Sequence, residues 1–142
     1  MQTHVFILVP CNVPPTEICE FVRLLLERSR LNEDEVSGRW DYRYGSLPGT
    51  LNDPVTEARL PLDVRRSLSG NICDACRLPS DAVPGALVTL DGAWHELGDF
   101  GWRMVDEPCE ANDIAMRKWA ARFHELVSEH EHCWVVEAWV HS

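Results

Sequence analysis

The chain has 142 residues, of which 45% are hydrophobic and 25% charged, and its formal net charge is −10. This composition is typical of one globular domain with a real core, and it excludes a disordered chain and a collagen-like repeat. No apolar run approaches the roughly 18 residues of a membrane span, and the N-terminus lacks the pattern of a signal peptide. We therefore expect a cytoplasmic protein without a membrane segment.

The acidic side chains are concentrated towards the end of the chain. Residues 96–142 hold 10 acidic and four basic residues, which is −6 of the net charge of −10. Such a surface repels phosphate backbones, so we expect no direct nucleic-acid binding. It suits either a solvated face or a docking site for a basic protein, with Glu125 and Glu129 as candidate contacts.

The first elements are a strand and a helix. Residues 4–9 form a continuous apolar run ended by Pro10, which is typical of a central strand buried on both faces. Thr16 is a suitable N-cap, and apolar residues then recur at helical spacing. These signals predict a helix over about 17–30.

Periodicity fades from about residue 31 to 85. A structureless loop of this length is improbable inside a compact domain, so we expect short strands or a helical turn near 62–68. In this interpretation the segment is an insertion packed over the main sheet by three aromatic residues: Trp40, Tyr42 and Tyr44. The alternative is a mobile lid.

A hairpin and a second helix follow. Asp91-Gly92 lies between apolar runs at 86–90 and 93–97, which predicts a hairpin with a type I′ turn, in which both turn residues have positive φ. Apolar residues at i, i+3, i+4 and i+7 predict a helix over about 111–130.

The last strand completes a recognisable order of elements. Its aromatic and β-branched residues span 133–140. The order β-α-β-β-α-β is that of a ferredoxin-like (split β-α-β) α+β protein. In that topology both helices cover one face of a four-stranded antiparallel sheet, and the last strand lies beside the first. We therefore predict a single domain over 1–142, with the insertion at about 31–85.

Cys73 and Cys76 have the spacing of a zinc knuckle or of a redox dithiol. A structural zinc needs four ligands, and the chain has no second pair at this spacing. The remaining ligands would come from other imidazole and thiol groups: His130, His132 and Cys133, or Cys109 and His95. Zinc, a redox dithiol and two unligated loop thiols all stay open, and we expect unligated thiols without a cofactor.

His95 and Glu96 follow the predicted hairpin turn and have side chains suited to acid–base chemistry. The sequence has no GxSxG, GxGxxG or Walker A motif. The segment that begins at His124 lacks the second histidine of a zinc-protease HExxH motif, because Ser128 stands in its place. His95 and Glu96 are therefore either exposed polar residues at a strand end or the acid–base pair of a small hydrolase.

The chain has six tryptophans. We expect Trp119 and Trp134 in the core. The other four lie in glycine-rich or hairpin segments, where a partly exposed ring can anchor a protein partner: Trp40, Trp94, Trp102 and Trp139. The alternative is a second small core under the insertion.

Two segments resemble a family of small uncharacterised proteins from actinobacteria and their phages. Gly38-Arg39-Trp40 is similar to that family's GGRW segment, and Thr-Leu-Asp-Gly-Ala-Trp-His-Glu at 89–96 is similar to its T-P-D-G-x-W-H-E segment. The first and last strands also fit. The resemblance implies a mobile-element origin and carries no catalytic activity with it.

Together these patterns favour a non-enzymatic accessory protein that acts by binding a protein partner. A phage-encoded acidic inhibitor of a basic host defence or nucleic-acid-binding protein fits them. One alternative is a small metal-dependent or histidine-based hydrolase that uses His95 and Glu96. The other is a zinc-stabilised adaptor that uses Cys73 and Cys76.

Overall fold

The structure is a computed structural model that describes residues 1–30, 38–44 and 49–142. The strands in these ranges are β1 Gln2–Val9, β2 Tyr42–Arg43, β3 Leu51–Asn52, β4 Asn71–Asp74, β5 Ala86–Val88, β6 Trp94–Glu96 and β7 Trp134–His141. The α-helices in the same ranges are α1 Ile18–Glu27, α2 Pro54–Glu57, α3 Leu62–Leu68 and α4 Glu110–Ser128. Short 3₁₀ helices lie at Pro15–Glu17, Ala75–Arg77 and Leu97–Phe100.

The strands pair in one mixed sheet in the order β3-β4-β7-β1-β5-β6, and β2 also pairs with β7. The central pair is β1 with β7, antiparallel from Gln2 opposite His141 to Val9 opposite Trp134. β1 lies parallel to β5, and β5 lies antiparallel to β6. The prediction of a mixed α+β fold with the last strand beside the first is therefore confirmed.

The sheet has a hydrophobic core on each face. Val5 to Val9 have no exposed surface, as expected for a central strand. Alternate residues of β1 face opposite sides, so Val5 and Ile7 pack with α1 and α3, whereas Phe6 and Leu8 pack with α4. We call these the α1 side and the α4 side of the sheet. Helices thus cover both faces.

The ferredoxin-like topology was a wrong prediction. It places both helices on one face and the second strand of the hairpin beside β1, whereas here the first hairpin strand, β5, takes that position in parallel. The reason lies in the two hairpin strands. The residues of β5 are apolar and completely buried, while those of β6 are all half-exposed and include the polar His95 and Glu96, which suits an edge.

The predicted insertion adds strands to the sheet and also packs over its α1 side, where Trp40 is buried as predicted, whereas Tyr42 is exposed in β2. β2 and β4 both pair with β7, and β3 pairs with β4. The helical turn expected at 62–68 is α3, which packs Val64 and Leu68 into the core on the α1 side. The described part of the insertion is therefore not a lid. Residues 31–37 and 45–48 lie outside the described residues.

The two long helices lie close to their predicted ranges. α1 ends at Glu27 rather than 30, and α4 spans Glu110–Ser128. Thr16 is not an N-cap, because Pro14 and Pro15 begin a 3₁₀ turn that contains it. None of the helices in the described ranges has the length and hydropathy of a membrane-crossing segment.

The hairpin at Asp91-Gly92 is confirmed, but its turn is not type I′. Gly92 has φ 81°, and in the described residues positive φ occurs at glycine alone, so Asp91 cannot be at positive φ. Gly92 N–H donates to Thr89 O at 2.9 Å, and Thr89 N–H donates to Ala93 O at 3.1 Å. This is the three-residue loop with a glycine bulge. The Asp91 carboxylate favours it by accepting bonds from the Thr89 hydroxyl and Ala93 N–H.

Candidate functional site

A cleft of about 660 Å³ opens where β1 begins and β7 ends, and its volume is within the range of small-molecule sites. Its walls come from these strand ends, from the residues just before Trp40 and from the segment that follows β6. The aromatic and charged side chains on its walls are His4, Arg39, Glu96, Trp102, Arg103 and Trp139.

His4 is held in one orientation by its neighbours. It lies opposite Trp139 in the β1–β7 ladder, and the two rings stack with centroids 4.2 Å apart and planes 12° apart. The ring of Phe6 lies nearly perpendicular to that of His4, with centroids 4.8 Å apart. The imidazole Nε2 hydrogen-bonds to Glu137 Oε2. The ring plane and one ring nitrogen of His4 are thus both determined by contacts with the sheet.

Glu137 is a buried carboxylate, only 3% exposed, in the middle of β7. It accepts hydrogen bonds from the Thr50 backbone N–H at 2.7 Å, from the Thr50 hydroxyl and from His4. Burial raises the pKa of Glu137, but the bonds from His4 and Thr50 outweigh burial and hold its pKa below the usual value. Glu137 is therefore ionised at neutral pH.

The ionised carboxylate determines which nitrogen of His4 carries the hydrogen. A carboxylate can only accept, so we assign the hydrogen of the neutral ring to Nε2 and leave Nδ1 with a free lone pair. Nδ1 has no hydrogen-bond partner among the described residues, and the His4 side chain is 19% exposed at the cleft wall. An imidazole oriented by a buried carboxylate, whose other nitrogen has no partner among the described residues, has the arrangement of a general base.

The structure brings Glu96, but not His95, to the cleft. Glu96 accepts hydrogen bonds from Arg39 Nη1 at 2.9 Å and from Trp94 Nε1 at 2.8 Å. It also forms a capping box with Asp99 at the start of the 3₁₀ helix Leu97–Phe100. His95 points to the opposite face of β6, where its Nε2 lies 3.4 Å from Thr89 Oγ1. The two residues therefore do not form the acid–base pair that we considered.

The predicted tryptophan anchors are separated in the fold. Trp40 is 5% exposed and donates from Nε1 to Leu26 O at 2.9 Å, so it belongs to the core. Trp94 is half-buried against the α1 side. Trp102 and Trp139 are also half-buried, and these two line the cleft.

Glu125 and Glu129 lie near the C-terminal end of α4, and both are exposed. Glu125 pairs with Arg122 Nη1 at 2.8 Å, while Glu129 is the C-cap of the helix. Neither residue lines the cleft. The acidic and aromatic residues selected from the sequence thus lie on different surfaces.

Cys73 and Cys76 differ in their environments. Cys73 is buried on the α4 side, and burial, followed by the charges of Asp53 and Asp74, raises the pKa of its thiol to about 12. Cys76 is exposed in the following 3₁₀ helix. Without a bound metal, the Cys73 thiol is therefore protonated at neutral pH and a weak nucleophile. In residues 1–30, 38–44 and 49–142, groups of three or more potential metal ligands are absent. Zinc, a redox dithiol and unligated thiols at Cys73 and Cys76 all stay predictions.

The sequence patterns did not predict His4, Thr50 or Glu137 as site residues. The available signal was Glu137, a charged residue in an otherwise apolar strand, because a buried charge needs a partner. The predicted pairing of first and last strands would have placed that partner in β1. Thr50 gave no signal, since it lies outside any periodic segment.

Comparison with known proteins adds no relative: no family model, curated protein or solved structure matches the chain. The resemblance to the actinobacterial and phage family stays a prediction.

Proposed function

We propose that the protein is a small hydrolase in which His4 is the general base and Glu137 is its positioning residue. The observation that carries this proposal is the hydrogen bond between His4 and buried Glu137 at the wall of a ligand-sized cleft. The sequence also predicted a histidine-based hydrolase as an alternative, but with His95 as the base; here the proposed base is His4.

The proposed reaction needs one water molecule and one proton relay. His4 Nδ1 takes a proton from water as the water oxygen bonds to the electrophilic carbon of the substrate. The bond from that carbon to the leaving group then breaks, and the leaving group takes the electron pair. The imidazolium, stabilised by the charge of Glu137, returns its proton to the leaving group.

The test is the hydrolysis of 4-nitrophenyl acetate, followed by the absorbance of nitrophenolate. His4→Gln should lower the protein-dependent rate by about 100-fold, the usual contribution of a general base. His95→Gln is the matched control and should leave the rate within about twofold of wild type, since His95 lies outside the cleft. Retention of the rate in His4→Gln, or equal losses in both variants, would overturn the proposal.

A second candidate function is the binding of a basic protein, as an acidic phage-encoded inhibitor would do. The observation that favours it is the pair Glu125 and Glu129, exposed one helical turn apart on α4, which places two carboxylates on one side of the helix. Exposed charges of this kind steer association more than they set affinity.

Charge reversal tests this second candidate. Once a partner has been isolated with wild-type protein, Glu125→Lys/Glu129→Lys should slow association, and wild-type association should weaken as salt rises. Glu17→Lys/Glu20→Lys makes the same charge change at exposed residues near α1 and is the matched control. Equal association rates for the two double variants would contradict docking at α4.

A further inference from the structure

We infer that the cleft takes a small organic anion with an apolar body, whose anionic group contacts Arg103. This inference rests on the proposed function, because it names the class of compound that would reach His4. Three features of the cleft support it: an arginine with uncommitted donors, a buried amide that holds that arginine in place, and apolar side chains exposed beside it.

Arg39 and Arg103 both line the cleft, but among the described residues only Arg39 pairs with carboxylates. Arg39 Nη1 lies 2.9 Å from Glu96 Oε1 and 3.5 Å from Asp99 Oδ1. Arg103 donates from Nη1 to Trp102 O at 2.9 Å and forms no ion pair with a carboxylate of the described residues. Within the described part of the chain, its guanidinium therefore retains donors in the planar arrangement that matches carboxylate or phosphate oxygens.

The backbone of Arg103 is clamped by a side chain of α4. Asn112 Oδ1 accepts from Arg103 N–H at 2.9 Å, and Asn112 Nδ2 donates to Arg103 O at 2.6 Å. Asn112 is buried in the first turn of α4. Both backbone groups of Arg103 are thereby attached to the longest helix, which holds the residue at the cleft wall before a ligand binds.

Apolar side chains lie next to this cation. Met104 is 70% exposed, although it is a large hydrophobic residue, and it lines the cleft together with Trp102 and Leu97. Covering such side chains removes apolar surface from water, which is favourable for an apolar ligand. The combination favours an anion with an aromatic or aliphatic body over inorganic phosphate.

A cationic ligand fits this wall poorly. The carboxylate of Glu96 already accepts bonds from Arg39 and Trp94, so it offers little to a further cation. A cation would also approach the charge of Arg103. A neutral ligand would make the apolar contacts but would gain nothing from the guanidinium, and this difference can be measured.

The experiment titrates the full chain with 1-anilinonaphthalene-8-sulfonate, an aromatic anion, and with N-phenyl-1-naphthylamine, its neutral analogue. Arg103→Gln should weaken binding of the sulfonate by about tenfold and leave the neutral probe unchanged, since only the anion contacts the guanidinium. The affinity of Arg103→Lys for the sulfonate should lie between those of wild type and Arg103→Gln. Arg117→Gln, at an exposed residue of α4, is the matched control and should bind both probes like wild type.

Unchanged sulfonate affinity in Arg103→Gln, or an equal loss for both probes, would overturn the inference. Ester hydrolysis by His4→Gln tests the general base, whereas the affinity of Arg103→Gln for the sulfonate relative to the neutral probe tests the anion site, so the two proposals fail separately. Loss of ester hydrolysis in His4→Gln with no effect of Arg103→Gln would reject the anion site alone. The converse result would keep the anion site and reject His4 as the base.

Discussion

Glu137 shows how one residue links the stability of the sheet to the cleft. Its carboxylate lies between β1 and the residues before β3, and it accepts bonds from both. Three donors compensate for the loss of water around the charge, which would otherwise be costly to bury. The same bonds orient His4, so a change at Glu137 should affect both unfolding and chemistry.

Glu137→Gln should lower the free energy of unfolding at pH 7 by about 1–3 kcal/mol, because the amide cannot replace an ionised acceptor. The pKa of Glu137 lies below its ordinary value of 4.5, so its contribution is complete above that value and is lost as pH falls through the folded-state pKa. Urea unfolding at pH 7 and at about pH 3 should therefore show the difference between variant and wild type shrinking in acid. Glu125→Gln, at an exposed residue, is the control. A stability difference between Glu137→Gln and wild type that grows in acid would contradict the lowered pKa of Glu137.

Trp40 is buried in the core, whereas Trp102 lines the cleft, so the same substitution at each can be compared. Trp40→Phe should lower the free energy of unfolding by about 1–3 kcal/mol, because it removes the bond from the indole to Leu26 O and part of a buried side chain. Trp102→Phe should change stability by less than about 0.5 kcal/mol, since Trp102 is half-exposed at the cleft. Urea unfolding followed by circular dichroism measures both, and equal losses would contradict the separation of these residues.

The thiols of Cys73 and Cys76 should react at different rates with Ellman's reagent. Cys76 is exposed, whereas burial keeps Cys73 protonated and covered. Cys76→Ala should remove one rapidly reacting thiol, and Cys73→Ala should remove none. We also expect no stoichiometric zinc in purified protein and no change of melting temperature on chelation. Stoichiometric zinc whose removal lowers the melting temperature would contradict this account.

At the scale of elements, the sequence predicts the individual helices and strands that depend on neighbouring residues. The apolar run of β1, the spacing in α1 and α4 and the short α3 are all encoded by neighbouring residues, and each was confirmed near its predicted range. Strand order depends on competition between distant segments. The side of the sheet that each helix covers could not be predicted, because β1 is apolar on both faces and can receive a helix on either.

The turn between β5 and β6 provides a test at this scale. Gly92 has φ 81°, and a Cβ there would lie 2.8 Å from Arg28 Nη1. Gly92→Ala should lower stability by about 1 kcal/mol or more, because alanine is strained at positive φ. Gly92→Asn meets the same arginine but tolerates this φ better, so thermal unfolding should show a smaller loss. Equal losses would mean that contact with Arg28, and not φ, determines the cost.

At the scale of the whole molecule, the candidate site joins residues that are distant in sequence. His4 and Glu137 meet because β7 pairs with β1, and Thr50 reaches Glu137 from the other side of β7, where β4 and β3 extend the sheet. His95 and Glu96 drew the sequence prediction because they are adjacent, but strand alternation directs them to opposite faces. Residues adjacent along a strand therefore could not form this site together.

The central claim is that Glu137 holds His4 with Nδ1 open to the cleft. The most direct measurement is the ¹⁵N spectrum of histidine-labelled protein, with the His4 signals assigned by their absence in His4→Gln. We expect the neutral ring of His4 to carry its hydrogen on Nε2, and we expect this preference to weaken in Glu137→Gln. A neutral ring with the hydrogen on Nδ1, or an identical spectrum for His4 in Glu137→Gln, would contradict the account.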